Sequence, residues 1–511
     1  YNAYSILKTG RDEWGAFLPT IFRAFGDYKL PVYIYFTTFS VWLFGLTPFA
    51  VRFISALAGV LAIPGVYLLT AKTFKSSTID DLRSTKAGLL AAFLLTISPW
   101  HFFISRPALE ANLALTFLIF GGYFLLRYFE KISSFLPAAI LFSLSIHTYN
   151  TARVFVPLIL IASFFIFRKK LSFSFKNIIG LIILLLSFSL VFYQVSSGVG
   201  MARYEKLKIL SEATVYQIGQ ARINSNLSPL LAKLVHNRPL YFATTFTKNY
   251  LSYFSPQFFF QSKGSQFQFA IPKANLLTLP VFLLAIAGFF VALKQSRSTN
   301  IQFLLAWFLL SPVAAALTID PPQALRPNPM IPALIVFTTL ALTKLPKMFQ
   351  YLSLALVIIC FSLYLQNYFG EYRINYSQSW QYGYYLPMDF IRFYKGDYSK
   401  FFVTKRMGEP HIFYAFYSHL NHHLLQPNND NIRFNQSGWF WTDKIENVYF
   451  VNDWDIPTTK VESLKLESGG VISTQNSILI TSPDHVPVNA SVIEAIKFLD
   501  GTPAFIISYI P

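Results

Sequence analysis

Apolar stretches recur along the chain near residues 47–70, 87–99, 111–127, 133–147, 153–168, 177–195, 276–293, 301–318, 329–343 and 349–366. Several are shorter than the about 20 residues that a helix needs to cross a bilayer, and would need to borrow flanking aromatics or sit beneath loops. The segments between them alternate in kind. One set is short and basic: Lys72, Lys75, Arg83 and Lys86; Arg127 and Lys131; Arg168, Lys169, Lys170 and Lys176; Lys294 and Arg297; Lys344 and Lys347. The other set holds every long connection: 1–46, 100–110, 148–152, 196–275, 319–328 and the chain beyond 367. Lys and Arg gather in the cytoplasmic loops of membrane proteins, so the pattern predicts about ten transmembrane helices with the long segments facing away from the cytoplasm. An even count of spans places both ends on that outer face.

Beyond Phe369 the long apolar runs stop. Short runs with strand character appear at Phe401–Thr404, Val448–Val451, Ser477–Thr481 and Ala504–Tyr509, with helical patterns around Glu409–Leu420 and Val492–Leu499. Turn signals such as Gln426-Pro-Asn-Asn-Asp430 and Gly469-Gly470 separate them. The expected fold class is a polytopic all-α membrane domain over 1–366, with outer loops 1–46 and 196–275, followed by a small C-terminal α/β soluble domain over 367–511.

Composition agrees with that division. Of 511 residues 54% are hydrophobic and 13% charged, about half the charged share of a soluble domain. The net charge of +18 is unevenly spread: from Glu371 onward there are 11 Lys/Arg and 14 Asp/Glu, so the first 370 residues hold 31 and 10. The basic excess lies in short loops between apolar runs, which argues against nucleic-acid binding. The single cysteine, Cys360, excludes an internal disulfide.

The scarcity of acids makes them informative. Asp80, Asp81 and Glu130 fall in basic loops and read as solvated; Glu205 and Glu212 read as a surface face. Asp12, Glu13, Asp27, Glu110 and Asp320 remain, all in outer loops or at span edges, where ionisable groups mark function. Each has companions: Thr9-Gly-Arg-Asp-Glu-Trp-Gly15; Gly26-Asp-Tyr-Lys-Leu-Pro31; Ser98-Pro-Trp leading to Arg106 and Glu110-Ala-Asn112; Thr318-Ile-Asp-Pro-Pro-Gln-Ala-Leu-Arg326; and His147-Thr-Tyr-Asn-Thr-Ala-Arg153. On a helix Arg106 and Glu110 would share a face and pair. Against these readings stand snorkelling for a lone Arg, a purely structural Arg106–Glu110 pair, and packing roles for His101 and His147. His419-Leu-Asn-His-His423 has the look of a metal site but lies beside a turn. Gly264-Ser-Gln-Phe-Gln-Phe269 carries no acid or His and no chemistry is assigned to it.

The order of these segments resembles the polytopic GT-C glycosyltransferases, in particular the glycosyltransferase family 39 and protein O-mannosyltransferase-like group, with the bacterial aminoarabinose transferases as relatives. The resemblance covers about 1–366. It implies a hexosyltransferase that moves a sugar from a polyprenyl-phosphate donor to a glycan, lipid or protein acceptor at the extracytoplasmic face of the plasma or inner membrane, amid membrane lipids. It also places the family's main catalytic Asp just ahead of Tyr1. The catalytic candidates within the chain are then Glu110, Asp27, Asp12 and Glu13. Lys29, Arg106, Arg153, Arg326, His147 and Tyr149 are candidates for the lipid phosphate and substrate, with Arg suited to bidentate phosphate contacts. No organic cofactor is implied, and a divalent metal is compatible. Two other classes fit the hydropathy alone: a secondary transporter, with Pro64 and Gly65 interrupting one span, and a catalytically silent membrane scaffold.

Overall fold

The computed structural model describes residues 1–74, 81–172, 174–198, 200, 202–261, 267–272, 274–319, 322–428 and 430–511. Lys75, Asp80, Gly264 and Asp320, singled out above, lie outside the described residues. The chain forms two compact units, one of residues 52–365 and one that joins 1–51 to 366–511. Hydropathy alone groups 1–51 with the spans instead.

The first unit is helical. Among the described residues, six helices of the chain are long and apolar enough to cross a membrane: Pro48–Phe74, Glu110–Phe129, Asn150–Lys170, Phe175–Ser196, Thr299–Ala316 and Lys347–Asn375. A bent pair, Leu82–Thr96 and Pro99–Ser105, makes a seventh if it counts as one span, with a 62° break where Pro99 opens the second piece. About ten spans were expected. Three of the apolar stretches form shorter helices, Leu136–Ile146, Leu279–Lys294 and Met330–Leu342, and a fourth short apolar helix, Pro31–Phe44, falls within the expected outer loop 1–46. Local chemistry sets their lengths: Leu136–Ile146 stops at the polar His147-Thr-Tyr-Asn run, and Met330–Leu342 starts only after a proline-rich loop.

Every residue of Met330–Leu342 is buried. Its partner is Leu279–Lys294, and the approach is backbone to backbone: a Cβ on Gly288 would stand 1.7 Å from the Phe337 carbonyl oxygen. Small residues serve this purpose where apolar surroundings give helices no hydrophobic reason to associate. Polar ties do similar work nearby. Asn112 donates to the Ser55 carbonyl at 2.7 Å and Thr116 to that of Ala58 at 2.8 Å, joining Glu110–Phe129 to Pro48–Phe74.

At the far end of this unit the basic loops meet. Glu130 is not a freely solvated loop acid as expected. It pairs with the buried ammonium of Lys72, and Asn300 donates to the Lys72 carbonyl at 3.2 Å and to Glu130 at 3.4 Å. Three connections distant in sequence therefore share one end of the bundle, in keeping with the alternation of loops.

The second unit begins with a helix, Asn2–Thr9, and a two-stranded hairpin of β1 (Phe22–Arg23) and β2 (Tyr28–Lys29). Its centre is a seven-stranded sheet of β3 (Lys400–Thr404), β4 (Ile432–Gln436), β5 (Trp439–Ile445), β6 (Val448–Val451), β9 (Ser477–Thr481), β10 (Ser491–Lys497) and β11 (Pro503–Ile510); β7 (Ser463–Lys465) and β8 (Val471–Ser473) form a separate hairpin. The order is β10-β11-β9-β3-β6-β5-β4, with β3 parallel to both β6 and β9 and the outer strands antiparallel. Buried on both faces, the central strands are continuous apolar runs. Phe401, Val403, Ile478 and Ile480 face the helices Tyr385–Tyr394 and Pro410–Tyr417, while Phe402 and Leu479 face Ile456, Val461 and Leu464.

All four expected strand runs are strands and Glu409–Leu420 holds a helix, but Val492–Leu499 is not helical. It forms edge strand β10, with bulges at Val492/Glu494 and Ile496/Lys497. Its β-branched Val492, Ile493 and Ile496 favour that state, and pairing with β11 overrides the apparent helical period.

Candidate active site

In the helical unit, three candidates gather where Leu136–Ile146 ends and Asn150–Phe167 begins. Arg153 stands in the first turn of the second helix, donating through Nη2 to Gln194 Oε1 at 2.6 Å and through Nε to the Ile146 carbonyl at 3.4 Å. His147 Nε2 lies 3.0 Å from Ser187 Oγ, and its Nδ1 is buried with no hydrogen-bond partner. Tyr149 is buried at the helix N-cap. Both partners of Arg153 are neutral. Among the described residues no carboxylate stands within ion-pair distance of it, so none of them neutralises the half-buried guanidinium.

Arg326 is buried in the loop before Met330, where Nη1 donates to Thr318 Oγ1 at 2.6 Å. The loop is pinned on two sides. Trp100 Nε1 donates to the Ala324 carbonyl at 2.9 Å, and Asn328 Nδ2 donates to the Ala111 carbonyl at 2.8 Å. Asn249 holds the Thr318 carbonyl at 2.9 Å. Ala111 is next to Glu110, so Asn328 fastens the Arg326 loop beside the first turn of Glu110–Phe129. There the carboxylate of Glu110 is half-buried at a helix N-terminus, a position that favours negative charge. Val313–Ala316, just ahead of Thr318, packs on Asn150–Phe167, so Arg326, Glu110 and the Arg153 cluster occupy one end of the unit.

Arg106 is placed differently from expectation. The Pro99–Ser105 helix ends before it, Pro107 comes next, and the following helix opens at Glu110, so the two residues do not share a helical face. Arg106 is exposed and lies over the Phe102 ring at 5.7 Å.

The other candidates belong to the second unit. Glu13 Oε2 pairs with Arg433 Nη2 at 3.0 Å, both side chains being nearly inaccessible to solvent. Asn2 donates to Glu13 Oε1 and accepts from the Glu13 amide, each at 3.0 Å. Arg433 also covers the Trp14 ring at 3.5 Å, and Arg23 lies over Trp14 and Phe440 at 4.9 and 4.7 Å. Asp12 accepts the amides of Trp14 and Ala16 at 2.9 and 2.8 Å, forming an Asx turn. Burial raises its carboxyl above the usual range against those two bonds. Asp12 and Glu13 thus fold the loop. Asp27 sits at the β1–β2 turn with its carboxylate 3.9 Å from the half-exposed Lys29 ammonium. Arg433, Gln194 and the Lys72–Glu130 pair escaped sequence reasoning, since each finds its partner across a long stretch of chain and no local spacing marks it.

The His422 and His423 rings lie 4.1 Å apart and tilted by 47°, yet among the described residues no group of three or more His, Cys, Asp or Glu side chains is arranged to hold a metal ion. The described residues alone do not make a metal site.

A family model described as dolichyl-phosphate-mannose-protein mannosyltransferase matches residues 29–193, which include Lys29, Arg106, Glu110, His147, Tyr149 and Arg153. No curated protein matches the chain in sequence. Among solved structures it is similar to ArnT from Cupriavidus metallidurans bound to undecaprenyl phosphate, with a TM-score of 0.51 at 12% identity over 99% of this chain and 92% of that one. The oligosaccharyltransferase of Archaeoglobus fulgidus, tethered with an acceptor peptide, gives 0.46 at 15% identity over 81% of this chain; the chain spans 58% of that protein's length. The arrangement of apolar helices followed by a strand-rich C-terminal domain corresponds to ArnT nearly end to end, and the chain is accordingly an integral membrane protein with the GT-C glycosyltransferase fold.

Proposed function

We propose that this protein is a membrane glycosyltransferase that transfers a hexose from a polyprenyl-phosphate donor to a glycan, lipid or protein acceptor at the extracytoplasmic face. The observation that carries this reading is Arg153, a half-buried guanidinium whose described partners, Gln194 and the Ile146 carbonyl, are both neutral. Such a group at one end of an apolar bundle suits the phosphate of a lipid whose tail runs into the bilayer.

In this reading Arg153 and Arg326 hold the phosphate, and His147 and Tyr149 shape the pocket beside it. Glu110 accepts the proton of the acceptor hydroxyl. The hydroxyl oxygen bonds to the anomeric carbon, the bond from that carbon to the phosphate oxygen breaks, and the negative charge formed on the lipid phosphate falls to the guanidinium groups. Arg106, exposed, serves the rim. Asp27 with Lys29 is the carboxylate–cation candidate of the other unit, and Asp12 and Glu13 are given a folding role.

The test is transfer by membranes or purified protein from a radiolabelled polyprenyl-phosphate hexose. Arg153→Ala and Arg326→Ala are each expected to lower transfer by about 100-fold, the usual scale for losing one charge-stabilising group. Wild-type rates in both variants would overturn the reading.

A further inference from the structure

The carboxyl ends of parallel strands are where open α/β sheets bind ligands. Here β3, β6 and β9 run parallel and in register, and polar side chains converge just past their ends. Asp453, just beyond β6, accepts hydrogen bonds from Thr404 at the end of β3 and from Ser482 Oγ, 2.6 Å away, at the end of β9. Arg406 lies 3.8 Å from the same carboxylate and pairs with Asp484.

Two further observations mark this edge as a binding surface. Trp454, between Asp453 and Asp455, is 78% exposed, and its indole makes no ring contact or hydrogen bond among the described residues. An indole held out in solvent beside fixed carboxylates is unusual for a packing residue. Near Asp453, the Tyr384 hydroxyl is buried with no hydrogen-bond partner, close enough to Asp453 and Glu409 to feel both charges. Thr481 Oγ1, at the end of β9, is also buried and unpartnered. Native proteins rarely leave such groups unmatched, so this edge lacks hydrogen-bonding groups that a ligand or water would bring.

We propose that the carboxyl edge of β3, β6 and β9 is a saccharide-binding site in which Trp454 stacks on the C–H face of a sugar ring while Asp455, Arg406 and Asp484 take its hydroxyls. The mixture fits the two sides of a pyranose, one apolar and one rich in donors and acceptors. The surplus of carboxylates selects neutral or amino sugars over uronic or phosphorylated ones. It also disfavours docking of Trp454 on an anionic membrane surface. The site requires no glycosyl transfer, and it stands whether or not the proposed function does.

The test uses the full chain in lauryldimethylamine oxide, since detergents with sugar headgroups would compete. Chitotetraose and mannotetraose are titrated by indole fluorescence and by saturation-transfer NMR. Saturable binding of at least one is expected, weakened about tenfold or more in Trp454→Ala, partly kept in Trp454→Phe, and unchanged in Lys169→Ala, an exposed position of the other unit. Because Trp454 is exposed, its removal leaves the fold intact, and Asp455→Asn provides a second, milder variant expected to weaken binding. Absence of saturable binding by both sugars overturns the proposal, as does equal binding by Trp454→Ala and wild type. Loss of vesicle binding in Trp454→Ala, measured on phosphatidylcholine–phosphatidylglycerol vesicles, with sugar binding unchanged, overturns it in favour of a membrane anchor.

Discussion

Arg433 Nη2 and Glu13 Oε2 stand 3.0 Å apart, although 420 residues of chain separate them. Both charges are buried, so removing one partner strands the other away from water. Glu13→Leu or Arg433→Met is expected to destabilise this unit by about 3–5 kcal/mol, while the apolar double replacement recovers much of the loss. Denaturant unfolding followed through tryptophan fluorescence measures both. A double variant no better than the singles would show that hydrogen bonds to Asn2 and Leu425, rather than the charge pair, hold the loop.

At the other unit's basic end, Lys72 is nearly as buried, with Glu130 as its partner. Glu130→Ala is expected to lower the thermal unfolding midpoint, whereas Lys169→Ala, exposed in another basic connection, leaves it nearly unchanged. Glu130→Gln recovers part of the loss through its hydrogen bonds. Equal midpoints for Glu130→Ala and wild type would return Glu130 to the solvated role its sequence context suggests.

Gly288 is the closest helix contact of the bundle that a side chain would disturb. A methyl group there meets backbone, which cannot rotate away, so Gly288→Ala should destabilise by about 1–3 kcal/mol, and Gly288→Leu should abolish stable expression. Gly219, where an added Cβ meets nothing within 4 Å, is the matched control and should tolerate Ala.

His411 gives the C-terminal unit a pH dependence of definite sign. It is enclosed by Phe25, Phe450 and Glu409, and burial, with Arg433 and Lys405 adding to it, holds its imidazole well below the ordinary 6.5. Between that depressed value and 6.5 the unfolded chain binds the proton and the folded chain does not. Stability is therefore full above about pH 6.5 and falls as pH drops through that window. His411→Phe should flatten the acid limb of a stability–pH curve; an unchanged limb would assign it to other groups.

Gln194 positions Arg153 without facing a substrate in the proposed reading. Gln194→Leu should raise KM for the lipid donor several-fold more than it lowers kcat, and Gln194→Glu should weaken donor binding further by neutralising the guanidinium. An equal fall in kcat for both would place Gln194 in the chemistry itself.

The helix ends were legible because Lys and Arg mark one side of a membrane protein without any knowledge of tertiary contacts, and the order of the outer segments was enough to suggest the GT-C fold. Strands β3, β6, β9 and β11 were legible for a related reason, being short apolar runs between turn residues. Val492–Leu499 was misread because an edge strand with bulges loses its period of two. The number of spans was less legible, because a fully buried helix such as Met330–Leu342 is as apolar as a longer, spanning one. Arg106 and Glu110 seemed a helical pair because spacing does not reveal that Pro107 starts a break. The roles of Glu13 and Glu130 rest on partners far along the chain, and no window of sequence contains both members.

The union of residues 1–51 with 366–511 bears on how the protein is made. At translation rates of about 5–20 residues per second, Trp14 and Glu13 leave the ribosome roughly 20–80 s before Arg433 exists to cover them. The Glu13 loop thus waits for a strand made some 420 residues later before it reaches its native contacts. During that interval a buried-type carboxylate and an indole remain open to water and to chaperones, and this unit closes only after the strand that carries Arg433 has been made.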